Sequence, residues 1–526
     1  MIKLQKKESF IFILVILALL PVMFLRDFTP ANELRYLSIA DEALRNHTFF
    51  AFTNHGVAYA DKPPFYLWLV MLLRSVLGSH EMWALSLLSI IPAGVIVHVM
   101  DRWTAAELGE AGRPVARMLL LTTGLFLGAA LTVRMDMLMC MFIVLAMRAF
   151  WHIYEGDRNI RQQQWLFAAY TFMALFTKGP LGVLFPLCTS AAFLLCRREP
   201  RRLASIFGWR TWAVLVGGCA VWWGLTYAEG GSEYLHNLLF HQTMDRAVNA
   251  FHHSRPFHFY LVCLWYCLAP WSIYAVASLA LSLRKNRYRS PLYTYLLVSG
   301  ITIVIILSCI SSKLQVYMLP AVPFLMYAAA LNFKKDASCS WCKVCIGIPA
   351  FIFALVLPAV IGYGLLCKGD SMPVPAVGYA AATLLSMGGM AALCLLTRKD
   401  RNGMNGGKAI GIVGSALFAA VFIGSFALIE LGGDLGYREL SRKVIEVSKQ
   451  SGIGRTTSWK LKNAPDMDIY LHQDVTELPD CSTAADSIKR PTLLLAPTDK
   501  LPSLNLPEAT IPAATSVGKY SILILK

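Results

Sequence analysis

Long apolar runs separated by short polar turns set the pattern of this chain. They fall at 10–25, 83–100, 114–133, 137–154, 164–177, 180–196, 211–227, 257–283, 292–310, 316–333, 344–366, 375–396 and 409–430. Most approach the roughly 20 residues a helix needs to cross a bilayer, so they predict about 13 transmembrane helices. A further run, 64–77, is shorter and carries Arg74. It predicts an interfacial or re-entrant helix. Between it and the first run lies a polar loop, 29–62, in which Leu34, Leu37, Ile39 and Leu44 alternate with charge. That alternation predicts an amphipathic helix lying along a bilayer surface rather than crossing it.

Past residue 433 the pattern changes. Leu440, Val444 and Val447 recur three and four apart and predict a helix over 437–450. Short β-like runs at Asp468–Leu471, 492–496 and Tyr520–Leu525 sit between Pro, Asp and Gly signals. The chain therefore divides into a membrane domain, 1–433, and a small α/β domain, 434–526, outside the membrane.

Composition agrees: 56% of residues are hydrophobic and 15% charged, which excludes an ordinary soluble globule. The net charge of +16 does not point to nucleic acid, because the basic residues cluster between apolar runs. With Lys3, Lys6 and Lys7 inside, the clusters at 197–202, 284–289, 334–335 and 398–401 all fall on the inner side. That satisfies the positive-inside rule, and an odd number of crossings places 434–526 outside. The first run lacks a small-residue cleavage site and reads as an anchor. Cys339, Cys342 and Cys345 have suggestive metal spacing but no second ligand cluster, and the other cysteines lie mostly in apolar runs, where they pack.

The same topology brings unusual polar residues to the outer boundary. These are Arg134 and Asp136 between two runs, Lys178 ending another, and Lys313 and Tyr317 opening a fourth. An outer loop adds Glu229, Glu233, His236, His241, Asp245, Arg246, His252, His253 and Arg255. Ionisable groups at a membrane boundary are costly unless used, so together they form a candidate site. Taken singly, Lys178 and Lys313 could be snorkelling anchors and the histidines solvated loop residues.

A series of motifs in order gives the candidate site a likeness. Asn32-Glu33-x-Arg35-Tyr36 and Asp61-Lys62-Pro63-Pro64 resemble the "DExRY" and "(D/E)KPP" signatures of the polyprenyl-phosphate-sugar-dependent glycosyltransferases of C-type fold. That group includes the protein O-mannosyltransferases and the lipid A aminoarabinose transferases. Asp136 after a short apolar run, Thr177-Lys178-Gly179-Pro180, His253-Ser254-Arg255-Pro256 and the stretch from Ser312 through Lys313 and Tyr317 to Pro320 match further family motifs. The likeness thus runs from Asn32 to Pro320, and 434–526 resembles the small periplasmic domain of the aminoarabinose transferases.

The resemblance implies an inverting transferase of the bacterial inner membrane, working on the periplasmic side. It would take a sugar from an undecaprenyl-phosphate donor to lipid A or a related envelope glycan, with protein O-glycosylation as the alternative. A non-catalytic transporter of lipid-linked sugars would carry its charges at the bilayer midplane instead. Arg35, Lys62, Arg255, Lys313 and Tyr317 would bind the donor phosphate and stabilise the charge growing on it. By family likeness, Asp61 and His253 would hold a divalent metal ion. Asn32 stands where the family has Asp, its usual candidate base, and an amide cannot take a proton. Either Glu33 or Asp136 serves, or the acceptor is a phosphate that needs no base.

Overall fold

The computed structural model describes residues 2–156, 159–240, 255–285, 290–366, 374–400, 404–479, 488–504 and 515–526. Almost every apolar run is helical. By length and composition, seven helices among the described residues suffice to cross a membrane: Met82–Leu121, Asp136–Glu155, Pro291–Cys309, Gln315–Asp336, Ser340–Leu366, Ala376–Thr397 and Asn405–Leu435. An eighth is reached if Phe259–Cys267 and Ser272–Arg284, bent by 119°, count as one broken span. The protein is a polytopic helical membrane protein. Phe65–Leu77 is a separate short apolar helix of 13 residues, as its length predicted.

The chain forms two compact units, each discontinuous in sequence. The first comprises Met1–Leu19, Ala60–Tyr66 and Ser86–Ile423; the second comprises Leu20–Tyr59, Leu67–Leu85 and Gly424–Lys526.

In the first unit the long helix α4 (Met82–Leu121) breaks at Gly109, whose φ of 64° suits a residue without a side chain. Asp101 before the break is gripped by Arg113 and Arg117 after it, Arg117 through two bonds of 2.9 Å. The buried pairing fixes the reversal. A core of packed rings follows: Phe193 lies 4.9 Å from both Tyr154 and Tyr295, and Trp151 stacks on Tyr295 at 5.7 Å. Such pairs add to the burial of large apolar area. Helices α6 (Asp136–Glu155), α7 (Ile160–Lys178) and α8 (Leu181–Cys196) pack beside this core. A Cβ at Gly182 would collide with the Ala174 backbone, so the glycine sets how closely α8 approaches α7.

In the second unit, helix α2 (Glu33–Asn46) ends at His47, which caps it in the left-handed conformation at φ 54°. Leu34, Leu37 and Ile39 are fully buried. This corrects the expectation of a helix resting its apolar stripe on lipid, because α2 packs against the C-terminal segment. Ser38 on α2 donates to Asp468 at 3.1 Å. Two-residue strands β1 (Thr53–Asn54) and β2 (Val57–Ala58) form a hairpin whose turn residues, His55 and Gly56, both have positive φ.

The C-terminal segment supplies a helix, Arg438–Ser451, with Leu440, Val444 and Val447 buried as their spacing predicted. Its five-stranded sheet has the order β4 (Val475–Glu477), β3 (Thr456–Ser458), β5 (Thr492–Pro497), β7 (Tyr520–Leu525), β6 (Thr515–Val517). The first two pairings are parallel and the last two antiparallel. Asp468–Leu471 is a helical turn rather than a strand. The preceding Asn463-Ala464-Pro465 step starts a 3-10 turn that runs into it, and local turn chemistry overrides the β preference of Ile469 and Tyr470.

Candidate functional site

The first unit assembles a cationic cluster around a buried carboxylate. Asp136 is the first residue of α6 and is only 2% exposed. Its Oδ1 pairs with the ammonium of Lys178, and its Oδ2 lies 3.1 Å from Arg134 Nε. Ser89 holds the turn carrying Arg134 by donating to the Thr132 carbonyl at 2.6 Å.

Lys178 is the last residue of α7, and Gly179 beyond it takes φ 112°, a left-handed value that favours glycine. The Gly179 N–H closes on the Leu175 carbonyl at 2.7 Å, ending the helix so that the Lys178 side chain reaches Asp136. The same ammonium lies 4.6 Å from the centroid of the Tyr317 ring, a cation–π contact. Tyr317 sits in the 3-10 helix Gln315–Ala321, whose start is tied down where Tyr260 donates to the Leu314 carbonyl at 3.1 Å. Lys313 is 4% exposed and donates to the Ile310 carbonyl.

Lys62 enters beside these groups. Phe65, three residues on, packs 6.1 Å from Phe142 of α6 and 6.2 Å from Phe176 of α7. The stiff Pro63-Pro64 step links that anchor to Lys62, which lies 3.3 Å from Asp61 and whose charge acts on Lys178. Lys62, Arg134 and Lys178 thus face two carboxylates, Asp61 and Asp136. The cluster keeps an excess of positive charge in a partly desolvated place, the arrangement that binds a phosphoryl anion.

In the second unit, Asn32 is exposed and Arg35 half-buried in a polar cleft of about 330 Å³ with Asn54, His55, Asp466 and Glu477. Glu33 is 1% exposed, and its carboxylate accepts from Arg26 at 2.6 and 2.8 Å and from Thr29 N and Oγ1 at 2.8 and 3.0 Å. Arg255 is exposed, while His253 lies outside the described residues. Among the described residues no group of three His, Cys, Asp or Glu side chains could hold a metal ion. Asp61 alone does not make such a site.

Two partners were not picked out from sequence, and a third was named without a role of its own. Arg26 looks like an ordinary flanking charge at the end of the first apolar run. Arg134 was noted as a boundary residue but given no role. His55 sits in a turn whose Asn-His-Gly spelling marks a hairpin and nothing more. Its Nε2 lies 3.1 Å from Asp466 Oδ1, while its backbone N–H donates to Glu42 at 2.6 Å. The Asp466 hydrogen bond, with the charges of Asp468 and Glu42, raises the His55 imidazole above its ordinary value against the effect of burial.

The fold is similar to that of polytopic membrane glycosyltransferases of C-type fold. Within it the likeness is to the aminoarabinose transferases. Two crystal structures of ArnT from Cupriavidus metallidurans, one bound to undecaprenyl phosphate and one apo, superpose with TM-scores of 0.73 and 0.74. Each is 16% identical and covers 98% of both chains, so the shared feature is the fold. No protein-family model matches. Relatives named undecaprenyl phosphate-alpha-4-amino-4-deoxy-L-arabinose arabinosyl transferase align from Shewanella sediminis, 25% identical over 59% of this chain and 56% of that protein. The Proteus mirabilis protein is 23% identical over 85% of this chain and 82% of its own length. A Pseudomonas aeruginosa protein is 26% identical over 46% of this chain and 44% of its own length, so for most of these relatives the match spans about half their length.

Proposed function

We propose that the protein is an inverting glycosyltransferase that moves a sugar from an undecaprenyl-phosphate donor to lipid A or a related envelope glycolipid. The observation that carries this reading is the cluster of Lys62, Arg134 and Lys178 around Asp136 and Tyr317, set in an ArnT-like fold. In the reaction an acceptor oxygen bonds to the anomeric carbon as the bond from that carbon to the phosphate oxygen breaks. The electron pair leaves on the phosphate, which departs as polyprenyl phosphate with added negative charge. Cations fixed before the reaction stabilise that charge most at the transition state. Lys62 and Lys178 are the principal groups in this role, with Lys313 and Arg255 as further cations for the donor phosphate. Asp136 holds Arg134 and Lys178 in place and keeps their mutual repulsion affordable within a buried site.

A phosphate on the acceptor is favoured over a hydroxyl. Asn32 cannot act as base, and both Glu33 and Asp136 already accept from cations. A phosphate is already ionised and leaves no proton to place. In this reading all 13 apolar runs cross the inner membrane and 434–526 is periplasmic, supported by the one-sided basic clusters. Asp61 with His253 would hold a divalent cation, which would add positive charge at the phosphate. The test is transfer by the purified protein in lipid nanodiscs, given undecaprenyl-phosphate-linked aminoarabinose and lipid A. Glycosylated lipid A is expected. Transfer only to an added protein acceptor would move the reading to O-glycosylation.

A further inference from the structure

Within the first unit, the far ends of the helices that carry Asp136 and Lys178 form a second basic place. Asp136 opens α6 and Lys178 closes α7. Tyr154 near the end of α6 and Gln164 near the start of α7 therefore lie about 20–27 Å along the helices from that cluster. Between 197 and 210 the chain carries five arginines against one glutamate, Glu199. This stretch leaves α8, forms the 3-10 helix Pro200–Ser205 and enters α9 (Trp209–His236).

A basic loop whose arginines stand free in water is all that membrane orientation requires. Two of these arginines are instead fixed. Arg202 donates to the Tyr154 carbonyl at 2.9 Å, lies 3.0 Å from Glu199 and stands 4.9 Å from the centre of the Tyr154 ring. Arg210 donates to Gln164 Oε1 at 3.0 Å and stands 4.9 Å from the centre of the Trp209 ring. Gln164 donates in turn to the Ser205 carbonyl at 3.4 Å, and Ser205 Oγ to the Arg202 carbonyl at 2.6 Å. One chain of hydrogen bonds thus ties the ends of α6, α7 and α9 to the 3-10 helix and holds both guanidinium groups. Each uses Nη1, and neither Nη2 makes a hydrogen bond among the described residues.

Aromatic rings mark the depth of this place. Trp165 and Trp209, both exposed, meet edge to face at 5.5 Å. Tryptophan collects at the headgroup level of a bilayer. From Trp209 an exposed apolar stripe continues along α9 through Trp212 and Val216, spaced three and four apart on one helix face.

We propose that this patch binds an anionic phospholipid, its phosphodiester held by Arg202 and Arg210 and its acyl chains laid along Trp209, Trp212 and Val216. Charge complementarity selects the headgroup, because a phosphate takes the two-pronged contact that a pre-positioned guanidinium offers. The stripe selects a lipid, since a soluble anion would leave it uncovered. The site is separate from the transfer reaction and does not rest on that reading.

The test is native mass spectrometry of the full-length protein in detergent, titrated with phosphatidylglycerol or with phosphatidylcholine of the same chains. The parent should bind the first phosphatidylglycerol roughly tenfold more tightly or better. Each basic residue near an anionic lipid contributes roughly fivefold in affinity, so Arg202→Gln with Arg210→Gln should weaken phosphatidylglycerol binding about 25-fold and leave phosphatidylcholine unchanged. Arg398→Gln with Lys399→Gln, which removes two charges from another basic cluster, should leave both unchanged. No preference in the parent, or equal losses in the two variants, would overturn the proposal. Glycerol 3-phosphate, the same headgroup chemistry without tails, should not displace the lipid; displacement would assign the arginines to a soluble phosphate instead. Photocrosslinking supplies a readout that needs no variant. In nanodiscs, phosphatidylglycerol with a diazirine in its acyl chain should label the parent protein within 209–216. Labelling spread evenly over the exposed apolar helices would overturn the site.

Discussion

Asp136 in the first unit and Glu33 in the second are both buried carboxylates joined to an arginine, yet their surroundings differ. Glu33 meets one cation and the neutral donors of Thr29, and its pairing is closed. Asp136 meets two cations, with the charge of Lys62 close by and an aromatic face under Lys178. One arrangement ends in neutrality and the other in surplus positive charge. The difference separates a structural fastening from the proposed anion site, and motif position alone does not reveal it.

The sharpest way to break that comparison is to remove Asp136. Asp136→Ala leaves two cations facing each other in a buried place, and loss of one partner from such a set costs about 3–5 kcal/mol. A large drop in thermal midpoint and transfer reduced by two orders of magnitude or more are expected, measured by unfolding scans and product formation in nanodiscs. Lys62→Ala comes next. It should slow transfer several tens-fold with little change in stability, through loss of a charge-assisted contact to the leaving phosphate. Lys62→Arg should recover little, since the guanidinium presents a different geometry. An unchanged rate for Lys62→Ala would remove it from the site.

Asn32 sharpens the question of the acceptor. Asn32→Ala should cost on the order of one hydrogen bond, ~1 kcal/mol of transition-state stabilisation, read from kcat/KM. Asn32→Asp should give no gain with a phosphate acceptor, because like charges repel. A much faster Asn32→Asp variant would point to a hydroxyl acceptor and a missing base.

The smallest effect concerns pH and the second unit. His55 is raised in the folded state by its hydrogen bond to Asp466 and the nearby Asp468 and Glu42 charges. Its contribution to stability is then complete below the ordinary histidine value of about 6.5 and declines as pH rises through the higher folded value. Thermal midpoints should fall modestly across that window. His55→Gln should flatten the decline, and an unchanged slope would refute the assignment.

Much of this organisation was legible because it follows from single-residue chemistry. Apolar length marked the helices. The Leu440, Val444 and Val447 spacing marked an amphipathic face that the structure buries. Lys178 and Asp136 were both named as candidates, but their pairing across 42 positions was not. What escaped depended on partners brought together by tertiary structure. The α2 stripe was read as lipid-facing because sequence shows amphipathicity without showing what covers it. Glu33 was read as a possible base because nothing local reveals Arg26 against it. The Asp468–Leu471 turn was misread because a four-residue run carries no resolvable period.

The central claim is transfer of a sugar from polyprenyl phosphate to an envelope acceptor through the Lys62–Lys178 cation cluster. It is tested most directly by mass spectrometry of lipid A and envelope glycans from cells lacking the gene, complemented with the parent chain or with Lys62→Ala. The account predicts a lipid A species heavier by one sugar residue that disappears on deletion. That species should return with the parent chain and stay absent with Lys62→Ala. Identical lipid A and glycan profiles in all strains, under conditions where the protein is present, would contradict it.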